Sequence, residues 1–274
     1  LTEVSRLTYE TFGKPNAQDF DMSDKALEEL YNRSVGELDK EDGYNCPLCK
    51  NRGYLIRFQD GEKHTSTCSC MNKRIVYKRM RKMGLFDCVQ RYTFERYQAA
   101  APWQAHLKQM TMDYVKACLN TPPNKPLPWL YLAGQPGCGK THLCHAVLMA
   151  LAEHFQPHAV SYPAWYRDVS ASAMDKDERD KAMRPCKNSE VLFMDDLFRS
   201  HNPTNAEIQT VFEVVNHAYG INRRAIIFSS EMPLDKVLQK NEGLGRRMVE
   251  RCGEFTAAIS RQKGRDYSLR SSDR

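Results

Sequence analysis

From Trp129 onward the chain alternates short apolar runs with stretches of helical periodicity. WLYLA at Trp129, AVSY at Ala159, VLFMD at Val191 and AIIFS at Ala225 are separated by segments long enough for crossover helices. That alternation predicts a parallel sheet joined by helices, an α/β fold. Upstream the pattern differs. Ser23 or Asp24 caps a short helix with Ala26, Leu27, Leu30 and Tyr31 on one face, and polar SVGELDKEDGYN follows. MNKRIVYKRMRKMGL puts Val76, Met80 and Met83 on one helical stripe, with Lys73, Arg74, Lys78 and Arg81 elsewhere around it, which reads as a basic connecting helix. Another helix follows Pro102, and TPPNKPLP from Thr121 is a turn-rich break. The divisions expected are residues 1–85, 86–128 as a helical lead-in, and 129–274.

Composition narrows the class. The chain has 274 residues, 41% hydrophobic and 27% charged, enough to bury one large core beside a smaller unit. No apolar run approaches the about 20 residues of a membrane span, and the opening LTEVSRLTYETFG carries acids without the apolar centre of a signal peptide. The expected location is cytoplasmic, with no membrane partner. Ten cysteines in such a chain point to metal ligation rather than disulfides. A net charge of +6 permits a nucleic-acid partner without demanding one.

GQPGCGKT, comprising Gly134, Gln135, Pro136, Gly137, Cys138, Gly139, Lys140 and Thr141, fits the phosphate-loop pattern in its required setting. An apolar strand precedes it and the helical HLCHAVLMALAEHF, beginning at His142, follows. The glycines let backbone N–H groups close on phosphate oxygens, Lys140 reaches the β and γ phosphates of ATP, and the Thr141 hydroxyl ligates magnesium. Cys138, inside the loop, is a point where alkylation would be felt.

VLFMDD ends an apolar strand in two carboxylates at the sheet edge where the loop also lies. Asp195 is expected to serve magnesium and Asp196 to orient or deprotonate the attacking water. AIIFSSE ends in hydroxyls, so Ser229 or Ser230 can reach the γ-phosphate or its water, although serines also close turns. LGRRMVERC places Arg246, Arg247 and Arg251 at helical spacing, where one facing outward can complete a neighbouring subunit's site. No arginine adjacent to the loop or the acidic pair offers itself for that role. Tyr162, Trp165, Tyr166 and Arg167 mix rings with a positive charge, as single-strand binders do, and core packing explains the rings equally well.

Cys46-x-x-Cys49 and Cys68-x-Cys70 are two close pairs that can converge on one zinc. His64 could replace Cys68 or Cys70 as the fourth ligand. Cys88, Cys118, Cys144, Cys186 and Cys252 are scattered and read as small core residues.

From about Phe94 onward, together with YTFERY just before it, the chain resembles the AAA+ core of DnaC/DnaI-type bacterial or phage replicative helicase loaders. GQPGCGKTHL, MDDLF, IIFSSEMPLDKV, LGRRMVER and the terminal GRDYSLR carry the likeness. The resemblance implies a P-loop AAA+ core without a full helical lid, preceded by a small zinc-binding α+β module that contacts a DnaB-type replicative helicase. It also implies ATP hydrolysis, self-association through the ATPase domain, and loading of the helicase onto single-stranded DNA. By that resemblance Asp195 serves magnesium, Asp196 supports hydrolysis, Ser230 takes the sensor position and Arg247 the trans-acting arginine position, with Arg251 the alternative. Ala218 stands where loaders often carry an arginine, and no second sensor arginine in a lid is found. IstB-like transposition ATPases resemble the same core. The cysteine module favours the loader.

Overall fold

The computed structural model describes residues 23–199 and 202–260. The opening LTEVSRLTYETFG and the terminal GRDYSLR lie outside the described residues. The chain divides into two units, Leu1–Met71 and Asn72–Arg274. The boundary expected near residue 85 therefore lies within the second unit, because Met80 is fully buried in that unit's core and Val76 and Met83 pack against it.

In the first unit, helix α1 (Asp24–Tyr31) is capped by the Ser23 hydroxyl, and a short helix α2 (Leu38–Asp42) ends at left-handed Gly43. Strands β1 (Tyr54–Gln59) and β2 (Glu62–Thr67) form an antiparallel hairpin. Its turn is Asp60-Gly61, with φ 52 and 78, the positive pair that a tight two-residue hairpin needs. The free edge of β1 is closed by a side chain. The Asn32 amide donates to the Ile56 carbonyl at 2.7 Å and its oxygen accepts the Ile56 N–H at 3.1 Å, as a neighbouring strand would. Phe58 N–H goes to Glu28 Oε1, and the Tyr31 and Phe58 rings meet at 5.3 Å.

Helix α3 (Cys70–Lys82) begins at the fourth close-paired cysteine and from Asn72 belongs to the second unit. Helices α4 (Phe86–Arg91) and α5 (Pro102–Asn120) lead to the sheet, α5 starting at proline, whose missing N–H costs nothing in a first turn. Then follow β3 (Leu130–Gly134), α6 (Lys140–Leu151), β4 (Pro157–Ser161), α7 (Tyr162–Ala171), α8 (Lys176–Asn188) and β5 (Val191–Leu197). The remainder is α9 (Asn205–Tyr219), β6 (Ala225–Ser230), α10 (Leu234–Lys240), α11 (Glu242–Cys252) and β7 (Thr256–Ile259). The sheet order is β4-β5-β6-β3-β7 and every pairing is parallel. The chain leaves β3 for the far edge, returns through β5 and β6, and passes to β7 on the other side. The order therefore reverses at β3, where open α/β sheets place their ligands.

Two arginines tie this unit together by its carbonyls. Arg79 of α3 donates to Ala152 O and Phe155 O at the end of α6, where helix carbonyls lack partners. Arg251, buried in α11, donates to Leu127 O at 2.8 and 3.2 Å, to Arg224 O at 3.0 Å and to Tyr219 O at 3.2 Å. Its guanidinium also lies 4.9 Å over the Trp129 ring. Cys118, Cys144, Cys186 and Cys252 are buried core thiols, and burial pushes Cys118 and Cys186 up to about 12. Cys88 is half-buried.

Arg251→Met would remove all these donors, and Arg251→Lys would offer one ammonium where a planar fork is used. Each is expected to lose about 2–4 kcal/mol of stability. The loss is read as a lower urea midpoint in tryptophan emission, since Trp103, Trp129 and Trp165 all lie in the second unit. Midpoints equal to wild type would show that Arg251 is not the anchor.

Candidate functional site

The loop between β3 and α6 is shaped by its glycines and by a ring behind it. Gly137 and Gly139 hold φ 75 and 94. A Cβ on Gly139 would stand 2.8 Å from Tyr97 Cε2, so Tyr97, buried at the end of YTFERY, presses directly on the loop. Lys140 is buried, and its Nζ donates to Gly134 O at 2.8 Å and Gln135 O at 2.9 Å. Cys138 Sγ lies 3.8 Å from that ammonium, fully buried, and burial pushes its thiol up despite the nearby positive charge. A buried protonated thiol is a poor target for alkylation. His142 is turned away from the loop's mouth: its Nε2 meets Thr93 O at 2.8 Å and its ring packs edge-on to Tyr92 and Tyr97.

The acidic pair faces this loop. Thr141 Oγ1 donates to Asp195 Oδ1 at 3.0 Å, which brings together the two oxygen ligands expected for magnesium. Asp195 Oδ1 also accepts the Ser229 hydroxyl, and Ser229 Oγ accepts the Asp196 N–H at 2.9 Å. Asp196 has φ 58, an unusual conformation for a residue with a side chain. Burial and then Asp195 push its carboxyl up, opposed by Arg199 and Lys140.

Several expectations shift here. Ser230 is buried, its hydroxyl donating to Leu197 O at 2.6 Å and accepting the Met232 N–H at 3.0 Å, so its polar group is committed to backbone. The serine that touches the acidic pair is Ser229. An arginine does stand beside the motifs: Arg199 Nη1 is 3.8 Å from Asp196 Oδ2, because Phe198 at φ 52 turns the chain back after β5. Its position three residues beyond the second acid was the available signal. Arg251 is held inside the fold and cannot present itself to a neighbour. Arg247 is half-buried, with Nη1 on Gly243 O at 2.8 Å and its guanidinium over Phe212 and Tyr219, while Arg246 is exposed and paired with Glu242. The aromatic group after β4 divides the same way. Tyr162 and Trp165 are core residues, bonded to Glu207 and Ala182 O, and only Arg167 is well exposed. Ala218 is buried in α9.

In the first unit the four cysteines come together. All four Sγ atoms lie within 4.8 Å of one another and all are buried. Cys46 Sγ is 3.9 Å from Cys68 Sγ and Cys49 Sγ is 3.5 Å from Cys70 Sγ. These gaps are far too long for disulfides. They match the about 3.8 Å between sulfurs of a zinc tetrahedron with Zn–S bonds of about 2.3 Å. Lys50 and Asn51, at φ 48 and 66, turn the chain tightly after Cys49, and Cys68 N–H donates to Gly53 O. Burial alone would raise the Cys49 thiol, but the Gly53 N–H and the neighbouring sulfurs bring it down to about 6, favouring a thiolate. His64 stands exposed on β2, outside the group.

The model of the RNA helicase family matches residues 130–229. The phage-like element PBSX protein XkdC of Bacillus subtilis is 28% identical over 239 residues, 82% of this chain and 85% of that protein. The Bacillus subtilis protein YqaM is 33% identical over 134 residues, and the chain spans only 42% of its length. The chromosomal replication initiator DnaA of Bdellovibrio bacteriovorus is 30% identical over 154 residues, and the chain spans 32% of it. Among solved structures, that of DnaI aligns with a TM-score of 0.50 at 19% identity, covering 62% of this chain and 90% of DnaI. The DnaC helicase loader aligns at 0.49 and 20%, covering 63% and 97%. The likeness to DnaI at that identity speaks for the fold alone: the second unit, a five-stranded parallel sheet with helices and a phosphate loop after β3, has the P-loop AAA+ fold.

Proposed function

We propose that this chain is an ATP-dependent loader that delivers a DnaB-type replicative helicase onto single-stranded DNA. The observation that carries the reading is the junction of loop and acids, Thr141 to Asp195 to Ser229, within a chain that also holds a four-thiol module. The likeness to XkdC, over 82% of the chain, extends beyond the ATPase core and supports a phage-type setting. The helicase as partner follows from the resemblance of GQPGCGKTHL, MDDLF and LGRRMVER to the loaders. The test is co-purification of the full chain with its host's replicative helicase, with and without ATP; no association in either condition would reject the loader.

The loop's N–H groups receive the phosphates, and Lys140 leaves the carbonyls of Gly134 and Gln135 for the β and γ oxygens. Thr141 and Asp195 are the residues that would hold magnesium, which would offset the negative charge of the phosphates. Asp196 orients the water for in-line attack and takes its proton. Arg199 lies in cis beside that acid, and Arg247 becomes a donor in trans if subunit contact draws it off Phe212 and Tyr219. In the first unit the four thiolates would hold zinc, which would fix two separated turns whose described residues bury little apolar surface.

Purified protein should therefore carry about one zinc per chain. Cys49→Ser should lose it while tryptophan emission from the second unit stays unchanged, and full zinc occupancy in that variant would sink the assignment. For catalysis, Lys140→Ala should weaken ATP binding. Asp196→Asn should bind ATP and lose about a hundredfold or more in turnover, and turnover equal to wild type would remove Asp196 from its role. Arg247→Ala should bind ATP yet hydrolyse it poorly, and mixing it with Asp196→Asn should restore part of the activity at interfaces that combine an intact acid with an intact arginine. Failure of every mixture, with association retained, would leave Arg199 as the arginine that matters.

A further inference from the structure

Between Met194 and Leu197 the register of β5 slips by one residue against Phe228 and Ser230 of β6. Asp195 and Asp196 together therefore face one residue, Ser229. In such a bulge the extra residue drops out of the ladder and its strand bends. Here the consequence falls on Asp196, whose left-handed backbone aims its side chain and whose N–H needs a partner. Ser229 Oγ accepts that N–H at 2.9 Å and gives its own proton to Asp195 Oδ1, the oxygen that Thr141 also reaches. Ser229 is fully buried, with Leu132 beside it on β3, so solvent is poorly placed to take over either bond.

We propose that Ser229 is a positioning residue for hydrolysis: its one hydroxyl fixes the carboxylate of Asp195 and the backbone of Asp196, and it acts on the nucleotide only through them. The proposal deepens the reading of Asp195 and Asp196 given above and rests on it for its catalytic meaning. Without the hydroxyl, Asp196 loses the bond that holds its left-handed turn, and its carboxylate swings away from the water. Ser230, one residue on, closes the turn after β6 through Leu197 O and Met232 N–H and does not touch either acid.

The experiment compares the full chain with Ser229→Ala, Ser229→Thr, Asp196→Asn and the double variant Ser229→Ala/Asp196→Asn. Three quantities are read: exchange of the residue 196 amide by NMR without nucleotide, ATP affinity, and turnover. In Ser229→Ala the amide should exchange at least about tenfold faster and turnover should fall roughly ten- to a hundredfold, the scale of a small misplacement of a reacting group, with ATP affinity within about twofold. Ser229→Thr should restore both, and Ser229→Ala should cost no further turnover once Asp196 is already Asn, because the two act in series. If Ser229→Ala does not fold, Ser229→Cys, with a weaker donor of similar size, should show the same changes in reduced form. An unchanged amide, fully additive turnover losses, or a large drop in ATP affinity would overturn the proposal, the last pointing to direct contact with the nucleotide. Absence of ATP hydrolysis in the wild-type chain would instead defeat the reading of the acids, while the exchange comparison would still decide whether Ser229 holds the bulge.

Discussion

Asp195 Oδ1 accepts hydrogen bonds from the hydroxyls of Thr141, at the start of α6 beyond the phosphate loop, and of Ser229 on β6, so one carboxylate oxygen ties the loop that follows β3 to the carboxyl ends of β5 and β6. Hydrogen bonds to an ionised acceptor are stronger than neutral ones, and here they act where the bulge interrupts the ladder between β5 and β6. The parallel order makes this possible. Because β3, β5 and β6 all run the same way, the loop, the acids and the serines emerge on one edge without any long loop to bring them there. Removing that oxygen would loosen the phosphate loop and the acidic turn at once.

The first unit solves a different problem. Among its described residues there is little apolar interior: β2 is exposed throughout and no residue of α1 is fully buried. Order there comes from directional contacts: an Asn32 amide standing in for a strand, two tight turns with positive φ, and four sulfurs brought to bonding range of one ion.

The sequence made the core sheet readable where strands are apolar throughout: WLYLA, VLFMD and AIIFS correspond to β3, β5 and β6. It did not reveal β7, because TAAI is short and half-exposed and is recognisable only beside β3. Nor did it reveal the hairpin, since EKHTST in β2 has no apolar alternation and only the Asp60-Gly61 turn gives it away. At the site, the loop and acids were legible because their spacing is local. Which of Ser229 and Ser230 faces the acids stayed open in the sequence, because a one-residue bulge in β5 decides it and leaves no mark in the pattern of β6. Arg199 escaped notice for a related reason, since only the backward turn at Phe198 brings it to Asp196.

The position of β7 bears on what counts as the smallest stable ATPase. The stretch shared with the helicase family model, 130–229, contains the loop and both acids yet stops before α10, α11 and β7. Cut there, β3 would become an outermost strand, with the backbone groups that now pair from Tyr131 to Gly134 bare to solvent. Such an apolar border invites other chains to add to it. The piece would also lack Tyr97 behind Gly139 and the Arg251 donors that hold Tyr219 O and Arg224 O. The matched centre is thus an aggregation hazard by itself, and the cover against it belongs to its flanks.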